Sequence, residues 1–215
     1  GSGGTGQFPD SSPVPNAYRF VPLLTSGEAL TQRAAVLARV SEGQLPFLGP
    51  VSVNDLRHVA FHAADQDGHN GVYRIGYETS GATSTVQLLL KEGDVLADGS
   101  VVEEISPGSV NNLDACALVV RDTEGKQSLQ CSHGEGFQKL LTPYEDVTSQ
   151  VRLYGDLHPE VSISDSSDIM FCSHYRDAEG LCKGQGLFFI PHKETSQAHL
   201  VLSREELLPG TRAYI

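Results

Sequence analysis

The sequence predicts an all-β chain, a propeller-like array of about three four-stranded blades plus part of a fourth. Two internal matches and a rhythm of turns predict it. The first match aligns Val36-Leu-Ala-Arg-Val-Ser-Glu-Gly-Gln-Leu45 with Val86-Gln-Leu-Leu-Leu-Lys-Glu-Gly-Asp-Val95, a shift of 50 that superposes apolar positions and the Glu-Gly pair. Phe137-Gln-Lys-Leu-Leu-Thr-Pro-Tyr-Glu-Asp146 and His199-Leu-Val-Leu-Ser-Arg-Glu-Glu-Leu-Leu208 continue the pattern, and with Val40, Leu90, Leu141 and Leu202 as equivalents the intervals are 50, 51 and 61.

The second match lies downstream. Val51-Ser-Val-Asn-Asp55, Gly108-Ser-Val-Asn-Asn112 and Val161-Ser-Ile-Ser-Asp165 each lead, four residues on, into Val59-Ala-Phe61, Cys116-Ala-Leu118 and Ile169-Met-Phe171. A polar turn follows in each (65–71, 122–125, 176–180), then a short apolar strand: Val72-Tyr-Arg-Ile75, Ser128-Leu-Gln-Cys131 and Leu187-Phe-Phe-Ile190. The second copy carries four β-type runs, 86–91, 101–105, 116–121 and 127–131, separated by Gly, Asp, Asn or Pro. A period near 50 residues with four strands per unit is the signature of propeller blades, in which each unit packs on its neighbours.

Taken in order, residues 1–17 are a Gly/Ser/Pro-rich arm with too few apolar side chains to offset their own ordering entropy. Residues 18–215 form the repeat domain, with copies at about 36–85, 86–136 and 137–197 and a partial copy at 198–215. Residues 26–39 admit two readings. Ser26 is an N-cap, and Leu30, Ala34 and Leu37 share one helical face; alternatively Leu23-Leu-Thr-Ser-Gly-Glu-Ala-Leu30 is itself a blade-opening strand like Leu89-Leu-Lys-Glu-Gly-Asp-Val-Leu96.

The pattern of apolar run, Glu-Gly-Asp, short strand, Val-Asn-Asp, Val-Ala-Phe and Gly-punctuated hairpin resembles the secreted bacterial tandem-repeat proteins of the choice-of-anchor type. The resemblance covers roughly residues 36–215 and implies a propeller-like fold without a catalytic signature. The family usually has Gly three residues after the Asn, where a tight turn favours positive φ; Arg57, Asp114 and Ser167 stand there in this chain.

Three copies and a fragment do not close a ring, since propellers close with about four to eight blades. The last residues, Thr211-Arg-Ala-Tyr-Ile215, read as a strand that stops mid-blade, leaving edges to be covered. Truncation of a longer chain is one explanation. Assembly is the other, with Phe8 and Tyr18–Val21 of the N-terminal segment adding a strand to a neighbour.

Composition narrows the partners. Fifteen Lys and Arg against 27 Asp and Glu give a net charge of −12, a field that repels nucleic-acid backbones and anionic membranes. No apolar run approaches the roughly 20 residues needed to span a bilayer, so no membrane insertion is expected. Protein partners, further blades or a second chain, fit better, with carbohydrate as the alternative.

The cysteines point to a compartment. Cys116 and Cys131 are spaced symmetrically about the turn at 122–125, and Cys172 and Cys182 about the turn at 176–179, so each pair is expected to face across a hairpin and form a disulfide. Two disulfides imply an extracellular or periplasmic location. A competing metal reading uses Cys131-Ser-His133 and Cys172-Ser-His174, each with Cys and His on one strand face, but the two would sit on different strands of their units. Asp65-Gln-Asp-Gly-His-Asn70 resembles a calcium loop only superficially: Gly68 is fourth rather than sixth and Gly76 occupies the twelfth position, so a hairpin turn explains it. Glu103-Glu104 and Glu205-Glu206 read as solvated faces.

Gly-x-Ser-x-Gly, the phosphate-loop pattern and His-Glu-x-x-His are absent, and the eight His are scattered. No catalytic, cofactor-binding or metal-ligating residue is therefore assigned. The expected function is a secreted, non-enzymatic repeat module for structure or protein interaction. A carbohydrate- or ligand-binding propeller is the alternative, weakened by the absence of Trp. A hydrolase fragment whose catalytic acids lie elsewhere is the third.

Overall fold

The computed structural model describes residues 49–65, 67–76, 86–134, 136–144, 146–148, 150–192 and 198–203. The arm at 1–17, the strand-or-helix stretch 26–39, the opening of the first copy at 36–48 and the end at 204–215 lie outside the described residues. Among the described residues the fold is all-β, with three antiparallel sheets in chain order and no helix long and apolar enough to cross a membrane.

The first sheet runs β1 (Ser52–Val53), β2 (His58–Ala64), β3 (Asn70–Gly76), β4 (Val86–Lys91), each hydrogen-bonded to the next. The second contains β5 (Val102–Ile105), β6 (Ser109–Val110), β7 (Cys116–Asp122), β8 (Gln127–Ser132) and β9 (Phe137–Leu141); β5 and β6 share one flank of β7. Pro107, which has no N–H to donate, sits in the gap between them, and Ser106 Oγ fills in by accepting Val119 N–H at 2.8 Å. The third sheet runs β10 (Asp146–Thr148), β11 (Val151–Ile163), β12 (Ile169–Asp177), β13 (Cys182–Ile190), β14 (His199–Ser203). Here the 13 residues of β11 span the flank of β12 in one piece, with register shifts near Leu157.

Leu90, Leu141 and Leu202 lie on β4, β9 and β14, the last strand of each sheet. Each sheet therefore joins the downstream half of one expected copy to the opening of the next. Register agrees across the sheets. Ser52 pairs with Ala60, Ser109 with Ala117 and Ser162 with Met170. Next along the same row, Ala60 pairs with Arg74, Ala117 with Cys131 and Met170 with Phe189. A second row reads His62, Val72, Leu90 in the first sheet, Val119, Leu129, Leu141 in the second and Cys172, Leu187, Leu202 in the third.

These rows define what we call the forward face of each sheet. The forward side chains Ala60, Val72 and Leu90 of the first sheet are buried with Cys116, Leu118 and Val120 of the second. The forward side chains Ala117, Val119, Leu129, Cys131 and Leu141 of the second are buried with Leu153, Leu157, Ile163, Phe171 and Phe188 of the third. Alternation along a strand sends neighbouring residues to opposite faces, so the central sheet is apolar on both. Burial of this apolar surface at roughly 25 cal/mol per Å² is the main stabilising term. The backward face of the first sheet is buried too, through Phe61, Tyr73, Ile75, Val86 and Leu88.

Candidate functional site

The contacts between sheets concentrate at one corner. After β1, after β6 and after β11 the chain makes the same turn: Arg57 N–H donates to Asn54 O, Asp114 N–H to Asn111 O and Ser167 N–H to Ser164 O, and each turn is closed by a bond from the first residue's N–H to His58, Ala115 or Asp168 O. Arg57, Asp114 and Ser167 have φ of 64°, 60° and 64°. The left-handed conformation is thus taken by non-glycine residues that must absorb a cost of about 1–2 kcal/mol each.

The three corners are tied to one another. Asn54 Nδ2 donates to Asn111 O at 2.7 Å, and Asn111 Nδ2 donates to Ser164 O at 2.8 Å and to Ser167 Oγ at 3.0 Å. One residue on, Asp55 N–H donates to Asn112 Oδ1 at 2.6 Å and Asn112 N–H to Asp165 Oδ1 at 3.0 Å, while Asn112 Nδ2 bridges Asp55 Oδ2 and Asp165 Oδ2. Two residues before each Asn or Ser, Ser52 Oγ accepts Val110 N–H at 3.0 Å and Ser109 Oγ accepts Ile163 N–H at 3.3 Å. Asn is suited to this place because one side chain offers both donor and acceptor: Asn111 Oδ1 also accepts from its own turn, the N–H groups of Leu113 and Ala115.

Asp114 adds a charged contact that the sequence did not signal. From its left-handed position Asp114 meets two groups of the first sheet, His58 Nδ1 at 2.5 Å and Arg74 Nη1 at 3.0 Å, and Arg74 is held from the other side by Gln87 Oε1 at 2.6 Å. No nucleophile is placed beside this His–Asp pair among the described contacts; it bridges two sheets.

The cysteine expectation is corrected. Ala117, not Cys116, pairs with Cys131, while Cys116 pairs with Ser132. A one-residue offset changes the face, so Cys116 packs between the first and second sheets and Cys131 between the second and third. Cys172 pairs with Leu187 and Cys182 with Arg176, four positions apart along β12. All four thiols are free. Burial pushes Cys116 up to about 12 and Cys131 up to about 11, and burial followed by the Glu160 charge raises Cys172. Such thiols stay protonated near neutrality and are poor nucleophiles. The cysteine argument for an oxidising compartment falls with the pairing.

The residues of the two metal readings are placed as follows. Cys131 Sγ lies 3.7 Å from His133 Nε2, whereas Cys172 and His174 share the forward face of the third sheet, so the two pairs do not converge. Ligand atoms of Asp65, Asp67 and His69 lie within 4.8 Å of one another. Asp65 Oδ1, however, is engaged by the N–H groups of Asp67 and His69. Asp122 Oδ1 holds Glu124 and Lys126 N–H in the same way, and Asp177 Oδ1 holds Glu179 and Leu181 N–H. Three Asp-x-x-Gly hairpins thus use one carboxylate to shape the turn, two of them with Lys or Leu in place of His69.

Two further groupings escaped the sequence. Asp98 is bound by Lys139 Nζ at 2.8 Å and by Ser100, contacts that hold its carboxyl well below the usual range. Near the hairpin of the third sheet, the Arg176 guanidinium lies 3.7 Å over the Tyr154 ring, and Tyr144, at φ 71°, meets Tyr154 edge-on. No family model, curated protein or solved structure matches the chain.

Proposed function

We propose that the three sheets are three copies of one repeat, set as blades of a propeller-like array, and that the chain is a structural or protein-interaction module rather than a catalyst. The corner ladder carries this reading. Side chains at corresponding positions, 57 and 53 residues apart, bind each sheet to the next by the same donors and acceptors, so the polar chemistry of the corner is committed to holding sheets in sequence. The two observed junctions bury apolar rows of the same register, which favours growth by adding sheets. Glycan arrays probed with the full chain, together with light scattering and cross-linking, test it. Silence on the array with a discrete protein assembly is expected; a monodisperse monomer that binds glycans contradicts it.

One cluster favours a second reading, ligand binding. Tyr144 and Tyr154 are 54% and 38% exposed, with Arg176 stacked on Tyr154. This aromatic edge beside Arg152 and Asp146 is the surface on which a sugar would stack. Glycan binding lost in Tyr144→Ala and Tyr154→Ala would establish that reading instead.

A further inference from the structure

The forward faces of the first and second sheets are each covered by the backward face of the sheet that follows, whereas no sheet among the described residues covers the forward face of the third. Met170 stands where Ala60 and Ala117 are fully buried, yet it is 38% exposed. Cys172, Leu187 and Leu202 occupy the row that is buried as Val119, Leu129 and Leu141 in the second sheet, but here they are only half-buried, and Phe189 extends the patch. Among the described residues no following sheet meets the corner either. Ser162, the counterpart of Ser52 and Ser109 that accept an N–H from the following sheet, is exposed, as is Asp165.

We propose that this face, Met170, Cys172, Leu187, Phe189 and Leu202, is a docking surface for a further sheet of the same repeat, seated by its backward face. The inference rests on the repeat reading above and names its partner. Continuity with the two established junctions selects that occupant. Both junctions place a backward face rich in large residues, Leu118 and Val120 in one and Phe171 and Phe188 in the other, on a forward row of this register. Both also present a main-chain N–H to the Ser of the preceding sheet. Among the described residues no backward face is left free to fill the role, since those of all three sheets are buried. The corner differs in one respect. Ser164 replaces Asn, spends its hydroxyl on Asp168, and has no amide to donate forward, so this junction holds by its apolar rows and Ser162.

Cys172 reports occupancy, because a docked sheet would bury it as His62 and Val119 are buried. The test is the full chain extended after Ile215 by a second copy of residues 92–144, in wild-type form and with Met170→Ala and Phe189→Cys, which copy the Ala117–Cys131 row. Alkylation of Cys172, followed by peptide mapping against Cys182, is expected to slow by about tenfold or more in at least one extended form. Met170→Asp in that form should restore it. Unchanged Cys172 reactivity in both extended forms overturns the proposal. So does concentration-dependent protection of Cys172 in the unextended chain, which would assign the face to a second copy. A glycan-binding monomer would sink the functional reading above while leaving the Cys172 result to stand or fall by itself.

Discussion

Asn54 reaches across 57 residues of sequence to donate its amide to the main-chain oxygen of Asn111, at 2.7 Å in a buried setting. Asn111 then does the same to Ser164. A side chain that satisfies a buried carbonyl of the next sheet while capping its own turn couples local geometry to stacking, and buried polar groups of this kind are costly to strand.

Asn111→Ala removes two donated and two accepted bonds at a residue that is 2% exposed. The expected loss is about 2–4 kcal/mol in urea unfolding monitored by circular dichroism. A loss under about 0.5 kcal/mol would show that the corner is not a stabilising contact.

Arg57 and Asp114 share the left-handed conformation but not its compensation. Arg57 is exposed, whereas Asp114 binds His58 and Arg74. Arg57→Gly relieves the backbone cost against a gain in unfolded-chain entropy, and is expected to change stability by about 0 to +1 kcal/mol. Asp114→Gly should fall below it by about 1 kcal/mol, because two cationic or hydrogen-bonding groups lose their acceptor at a partly screened site. Equal effects from the two substitutions would mean that the bridge to the first sheet contributes nothing.

The thiols should react in a fixed order. Cys182 is exposed, Cys172 half-buried, Cys116 and Cys131 buried. A chromogenic disulfide reagent at pH 8 should modify Cys182 fast, Cys172 slowly, and Cys116 and Cys131 only on unfolding. The pH dependence follows from the raised thiols: Cys116 and Cys131 bind their protons more tightly in the folded chain, so their contribution is intact below the ordinary value of 9.0 and is lost as pH rises from there toward about 11 and 12. Two disulfides in non-reducing peptide maps would contradict the hairpin registers.

Asp98 governs the acid side. Its folded carboxyl is held below the ordinary 3.8, mainly by Lys139, so its contribution is present above that value and disappears as pH falls below it. The pair is well exposed, which limits the effect to less than about 1 kcal/mol and makes it salt-sensitive. Asp98→Asn should flatten the stability profile below pH 4 in low salt; a profile unchanged from wild type would remove Asp98 from the acid transition.

What the sequence made legible was local or repeated. Asp65, Asp122 and Asp177 are readable as turns because Asp-x-x-Gly chemistry acts within five residues, and Leu90, Leu141 and Leu202, aligned in the sequence, each lie on the last strand of a sheet. Arg57, Asp114 and Ser167 are conspicuous only as places where Gly is expected. The cysteine pairing misled because symmetry about a turn does not fix the register: Arg121 pairs with Gln127, half a step from the midpoint assumed, and the other hairpin is centred on Arg176–Cys182, about two residues beyond the midpoint assumed, with a bulge between Tyr175 and Arg176 adding a further shift. The bridge from Asp114 to His58 and Arg74 was not readable, since it depends on how far one sheet is offset from the next.

The most direct measurement of successive sheets sharing one corner is pairwise cysteine cross-linking with a short bifunctional reagent in a Cys182→Ser background. Ser52→Cys with Val110→Cys, and Ser109→Cys with Ile163→Cys, place thiols where Ser oxygens now meet the main chain of the following sheet. Both pairs should cross-link within the monomer, and Ser52→Cys with Ile163→Cys should not. Cross-linking of that skipped pair, or failure of both adjacent pairs in a folded chain, would contradict the stacking order.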